Sequence, residues 1–211
     1  MSTTAPAATS IGAASTDIPG WTTSIADPAR LGAVRRTGLS RGADPALDRL
    51  AAICAAVVDA PCAVIALVGD DRMHLAGGHG LPDQLELQRE WPIDPRSLAV
   101  RVVHERCGRA VNDTRVEVGE PSDGRLSAVA AVVATPVFDV DGYAIGAVCA
   151  LDTVPRQWDA CVLDRLAPIT QLVSRELRFA STMPADSRNY RLGATPPTRT
   201  QWRPGFAPAA A

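Results

Sequence analysis

Apolar positions along this chain follow two spacings, and the places where one gives way to the other mark its elements. After Asp44-Pro45, the residues Leu47, Leu50, Ile53, Cys54, Val57 and Val58 recur three and four apart, which predicts an amphipathic helix ended by Pro61. Cys62 to Val68 is an unbroken apolar run of strand length, so it predicts a strand buried on both faces. Asp70-Asp71 marks a turn and Arg72 to Ala76 a second strand, after which Gly77-Gly78-His79-Gly80 reads as loop. Leu81 to Asp94 has no clear period; a short helix over Asp83–Arg89 is the element it allows. Ser97 is placed to cap a helix through Arg106, with Leu98, Val102 and Val103 inward. Arg109 to Val111 reads as a strand, and Asn112 to Arg125 as a polar loop with room for a helical turn. Two apolar runs then flank Asp141-Gly142, a hairpin signal, and the second run stops at Asp152. Asp159 caps a last helix to about Phe179, with Val162, Leu163, Leu166, Ile169, Leu172, Val173 and Leu177 as its stripe and Pro168 expected to kink it. Near the start, Asp27 and Pro28 open a helix over Pro28–Thr37.

These elements group as an α+β fold: an antiparallel sheet of five to six strands with helices at the N- and C-terminal flanks. Residues 1–26 are rich in Ala, Ser, Thr and Gly with few large apolar side chains, and residues 181–211 are rich in Pro and Arg. Neither stretch buries enough surface to offset its ordering, so both read as disordered tails around one domain spanning 27–180.

Particular motifs sharpen this reading. Thr135-Pro136, then Asp141-Gly142, then Gly146-Ala147-Val148-Cys149-Ala150-Leu151-Asp152, then Pro155-Arg156 resemble the closing half of a GAF domain. Asp27-Pro28-Ala29-Arg30-Leu31 and Val34-Arg35-Arg36-Thr37-Gly38-Leu39 resemble the helix that often precedes such domains. The resemblance covers roughly Asp27 to Arg178 and implies the GAF sheet with a pocket between the sheet and the Ser97 helix. It implies Met73 and Trp91 as an apolar wall, or simply as core, Ser97 and Val132 within the pocket, and Asn112, Asp113, Thr114, Arg115 and Arg125 at its rim. An Arg there is able to clamp an anionic ligand; a solvated loop with Asx-turn chemistry explains the same residues equally well. Ser97-Leu98-Ala99 stands where many relatives have Ser-Phe-Cys, Ala131-Val132 where many have Phe-Tyr, and Ala134 where they have Gly. The pocket is therefore expected to be roomier and more apolar, or else filled by closer packing.

Composition mostly excludes. A net charge of -2 and a pI near 5.9 offer no basic field for nucleic acid or an anionic membrane. All 21 basic residues are Arg, which fits the coding bias of a high-GC bacterium and removes any chemistry that needs a Lys. No apolar run reaches transmembrane length, and five cysteines without a C-x-x-C make no disulfide framework, so the chain reads as cytoplasmic. The basic and aromatic residues of the tail (Arg188, Tyr190, Arg191, Arg199, Trp202, Arg203, Phe206) suit an RNA or acidic partner, or simply a solvated tail.

Candidate chemistry is sparse. Cysteines on buried runs are first of all small hydrophobes. The resemblance makes the strands of Cys62 and Cys149 neighbours, so they form a candidate redox pair, and Cys107 is the candidate reactive thiol of a GAF-type reductase. His104 flanks the expected pocket and is a candidate haem ligand, though a structural His explains it more simply. No spacing makes a metal site, and no hydrolase, P-loop or Rossmann motif occurs. The cofactor stays unknown. The resulting expectation is a non-enzymatic sensor that binds a small molecule. It would dimerise through Asp159–Phe179 and signal in trans to a protein partner. A ligand-free interaction module and a thiol-based redox sensor or reductase are the alternatives.

Overall fold

The computed structural model describes residues 20–39, 44–81, 89–117 and 129–182. The expected helix over Asp83–Arg89, apart from Arg89, lies outside these residues, as do Arg125 and the C-terminal tail. The elements are α1 (Trp21–Ile25), α2 (Pro28–Arg36), α3 (Pro45–Val58), β1 (Cys62–Val68), β2 (Arg72–His79) and β3 (Glu90–Pro92), followed by α4 (Leu98–Glu105), β4 (Arg109–Val111), α5 (Thr114–Glu117), β5 (Ala131–Phe138), β6 (Ala144–Asp152) and α6 (Val162–Thr182). The strands form one six-stranded sheet in the order β3-β2-β1-β6-β5-β4, with every neighbouring pair antiparallel. An α+β fold with a sheet of that size is what the apolar pattern predicts.

Each face of the sheet carries its own core. Ala63, Ile65 and Leu67 of β1 face α3 and α6, together with Val133 of β5 and Val148 and Ala150 of β6. Val64, Ala66 and Val68 face α4, with Val132, Ala147 and Cys149. Every residue of β1 is buried, as a continuous apolar run between two helical layers requires. Asp27 and Asp44 cap α2 and α3 by accepting from Ala29 N at 2.8 Å and Ala46 N at 2.7 Å, with Pro in the first turn of each. Asp159 starts α6 by accepting from Cys161 N at 2.9 Å. That helix then runs unbroken through Pro168.

Two expectations need correction. Gly77 and Gly78 are not loop, because β2 continues to His79. A bulge between Ile65 and Ala66 leaves Ala76 out of register, and a Cβ on Gly77 would lie 2.6 Å from the backbone of Leu47. Glycine is there so that α3 can pack directly on the strand. Residues 20–26 are not part of a disordered tail. Ile25 is buried against α4, and Arg30, only 4% exposed, ties the α1–α2 junction to the end of β1. Its guanidinium donates to Ile25 O at 2.9 Å, Val68 O at 2.6 Å and Gly69 O at 2.8 Å. Burial lowers its pKa to about 10, against the pull of Asp27 and Asp70. The expected hairpin at Asp141-Gly142 is present: a five-residue connection joins β5 and β6, with Gly142 at φ 82°. Asp139 holds it by accepting from Asp141 N at 3.0 Å and Tyr143 N at 2.8 Å, and Arg36 of α2 pairs with the same carboxylate at 2.8 Å.

Candidate ligand-binding site

The α4 face of the sheet does not fill completely. A cavity of about 110 Å³ lies between α4 and strands β1, β2, β3, β5 and β6. Strand alternation chooses its walls: Val64 and Ala66 of β1, Met73 and Leu75 of β2, Trp91 of β3, Val132 of β5, and Cys149 and Leu151 of β6. Leu98 and Ala99 in the first turn of α4 form the opposite wall, and Asp94, Arg96, Ser97 and Thr114 add polar atoms. Arg96 folds onto Asp94, with its backbone N–H donating to Oδ1 at 2.8 Å, Nε to Oδ1 at 3.2 Å and Nη2 to Oδ2 at 3.2 Å. Thr114 Oγ1 donates to Val129 O at 2.7 Å.

Met73, Trp91, Ser97 and Val132 line the cavity, as the sequence reading places them. Ser97 holds the N-cap position of α4, yet its hydroxyl makes no capping bond. Asn112, Asp113 and Arg115 do not line the cavity. Asn112 Oδ1 accepts from Trp158 N at 3.0 Å, and its backbone N donates to Glu117 Oε1 at 2.9 Å. Asp113 accepts from Arg115 N at 3.0 Å, and Arg115 is exposed. Those three residues brace the loop between β4 and α5. Asp94, Arg96 and the β6 wall were missed; the parity of Cys149 and Leu151 on their strand is the signal that points to the latter.

The thiols divide by environment. Cys149 is 3% exposed in the cavity wall, and burial, with a smaller contribution from Cys54, pushes its pKa up to about 12. Cys62 donates to Gly80 O at 2.9 Å, and burial followed by Asp152 raises its pKa. The register sets Cys62 opposite Leu151 and Cys149 opposite Val64, so the two cysteines are diagonal rather than facing. Cys107 is exposed beyond the far end of α4, with Sγ 3.9 Å from Glu105 Oε2, and does not line the cavity. His104 also lies outside it. Its Nδ1 is 2.6 Å from Ser24 Oγ, which in turn donates to Trp21 O at 3.0 Å. That places the proton between them on the imidazole and ties α4 to α1.

No family model matches the chain, and no curated protein matches it. Solved structures do. The GAF domain of an Acinetobacter phosphoenolpyruvate-protein phosphotransferase superposes with a TM-score of 0.54 at 14% identity, covering 75% of this chain and 98% of that one. The GAF-B domain of DevS from Mycobacterium smegmatis superposes at 0.52 and 16% identity, covering 70% and 99%. This chain has the GAF fold. A free methionine-R-sulfoxide reductase from Neisseria meningitidis, solved in complex with its substrate, matches at 0.52 and 16% identity, covering 82% and 96%.

Within this GAF fold, the motif residues that end β6 hold the scaffold together rather than the cavity. Arg156 Nη1 donates to Asp152 Oδ2 at 3.3 Å and to Asp59 O, at the end of α3, at 2.6 Å; its guanidinium also stacks 4.6 Å above the Trp158 ring. Trp158 Nε1 donates to Val111 O at 3.0 Å, which joins the approach to α6 to the edge strand β4.

Proposed function

We propose that this chain is a non-enzymatic sensory GAF domain of cytoplasmic signalling, which binds a small molecule beneath α4 and passes the change through α6 to a protein partner in trans. The observation that carries this reading is the preformed apolar cavity, walled by five strands and a helix that come from both halves of the chain. The route to α6 is one residue thick. Val132 lines the cavity while Val133 packs with Leu166 and Val173 of α6, so a shift of β5 is felt on both faces. Such a shift carries information only when the ligand prefers one position of α6.

A homodimer through Asp159–Phe179 is part of the proposal. Leu172 and Phe179 are each 46% exposed on α6, and Ile53 and Val57 are exposed on α3, which packs beside it. Apolar exposure on adjacent helices suits a second copy. The five unpaired cysteines suit a reducing compartment. Among the thiols, only Cys149 lines the cavity, and its raised pKa works against the thiolate that reductase chemistry needs.

Native mass spectrometry of protein purified from its own host, with an absorption spectrum of the same sample, tests the proposal. A non-covalently bound small molecule and a dimer that Leu172→Asp dissociates are expected. An apo mass, with no shift in melting temperature from any added metabolite, favours a ligand-free interaction module instead. Methionine sulfoxide reduction that Cys149→Ser or Cys107→Ser abolishes would establish the enzyme reading.

A further inference from the structure

We propose that the connection between β5 and β6 is a mechanical joint that carries movement of α4 to the ends of α2 and α6, with Arg106, Arg36 and Arg178 as its clamps. This rests on the reading of α6 as the output helix. It gives that helix a second route, past the strand ends rather than through Val132 and Val133.

Three helices deliver an arginine to one short stretch of chain. Arg106 is the C-cap of α4; its Nη2 donates to Gly142 O at 2.9 Å, and its guanidinium lies 5.1 Å from the Phe138 ring. Arg36 is the last residue of α2, and its Nη2 donates to Asp139 Oδ2 at 2.8 Å and to Asp141 Oδ2 at 3.0 Å. Arg178, near the end of α6, donates from Nη2 to Asp139 O at 3.2 Å. The Arg106–Gly142, Arg36–Asp139 and Arg178–Asp139 partners stand 36, 103 and 39 residues apart, so the fold and not the local sequence brings them together.

The stretch they hold is braced internally, so it moves as a body. Asp139 N donates to Tyr143 O at 3.0 Å and Gly142 N to Asp139 O at 3.3 Å. The buried Asp139 carboxylate accepts from the N–H groups of Asp141 and Tyr143. Gly142 and Arg178 therefore share one carbonyl, and Arg36 shares one carboxylate with two backbone donors. A shift that Arg106 imposes on Gly142 moves the groups that α2 and α6 hold.

Arg106 also sits against its own backbone preference. Its φ is 57°, the left-handed conformation in which a helix end most easily carries Gly. Its side chain is exposed, so packing does not require it there; strain at such a residue points to a task for the side chain. The other end of α4 supplies Leu98 and Ala99 to the cavity wall, so one eight-residue helix runs from cavity to joint. Exposed contacts of this kind add little to stability. Their effect is on where the helix ends sit.

The test is hydrogen exchange by mass spectrometry on the full chain, comparing wild type, Arg106→Gly, Arg178→Gln and the double variant. Arg106→Gly suits the backbone, so it should fold while losing the clamp; Arg106→Gln repeats the test with the Cβ kept. Arg106→Gly is expected to speed exchange about two- to tenfold, the effect of one lost hydrogen bond, both at 139–143 and in the last turns of α6, with α3 unchanged. In α6 the double variant should match Arg178→Gln alone, because both clamps act on one joint. Unchanged α6 exchange in the Arg106 variants, or effects that simply add in the double variant, overturns the joint. A rise that includes α3 overturns it too, since that reports general destabilisation. The measurement needs no ligand, so these outcomes leave the sensor reading standing; that reading fails separately, on an apo mass with no metabolite shift.

Discussion

The two faces of the sheet are built from the same strands, residue by alternating residue, yet they are filled differently. On the α3/α6 face, Leu47, Ile65, Leu67, Leu166 and Leu177 are fully or almost fully buried and meet two long helices. On the α4 face, the covering elements among the described residues are the eight-residue α4, with Ala99 in its first turn, and the short α1 beside it, and space remains. Ala66, Ala99 and Val132 are small side chains on the walls of that space. The sheet thus assigns one parity of its central strands to a filled core and the other to the face that holds the cavity.

That separation is breakable by measurement. The largest contrast is expected from Leu166→Ala against Leu98→Ala in urea unfolding. The first should cost about 3 kcal/mol, as buried leucines do, and the second about half that, because Leu98 already lacks neighbours on its cavity side. Equal losses would mean the two faces are packed alike. Next, Val133→Ile should destabilise by roughly 1–3 kcal/mol through overpacking, while Val132→Ile, one residue away, should be neutral or gain up to about 0.8 kcal/mol by filling the void.

A third contrast uses pH. Burial holds the Cys54 and Cys149 thiols protonated to about 12 in the folded chain, against an ordinary value near 9 when unfolded. The unfolded chain releases those protons first, so their contribution is complete below pH 9 and is lost as pH rises toward 12. At pH 10 each thiol should cost on the order of 1 kcal/mol of stability, and Cys54→Ala or Cys149→Ala should flatten the alkaline slope of the melting temperature.

The smallest contrast compares two helix starts. Asp44 accepts from Ala46 N and Asp44→Ala should cost about 1 kcal/mol, whereas Ser97 makes no capping bond and Ser97→Ala should lie within about 0.5 kcal/mol of wild type. A large loss from Ser97→Ala would give that hydroxyl a structural task.

Long periodic segments were readable because burial there repeats many times. The stripe of α3, the double-faced run of β1 and the stripe of α6 each repeat the same signal over seven or more residues. Single contacts were not. Nothing local distinguishes Glu90–Pro92 as a strand, since its pairing partner, Arg72 to His74, is supplied by the fold. Gly77 reads as a breaker until Leu47 is placed above it. Asn112, Asp113 and Arg115 were given to the rim because of their place along the chain, whereas their hydrogen bonds run to Trp158, Glu117 and the local backbone. The cavity walls follow strand parity, and parity becomes informative only once α4 is known to cover the even-numbered side of β1.

The strands that end the sheet have a consequence for association. β3 and β4 contain three residues each, and β3 closes on Pro92. β4 begins opposite Ala134, and two residues further along β5 Pro136 supplies no donor. Borders this short and proline-marked give an incoming strand little ladder to extend, so edge-to-edge stacking into fibrils is disfavoured. The exposed apolar side chains of α3 and α6 are then the surface on which the proposed dimer would form.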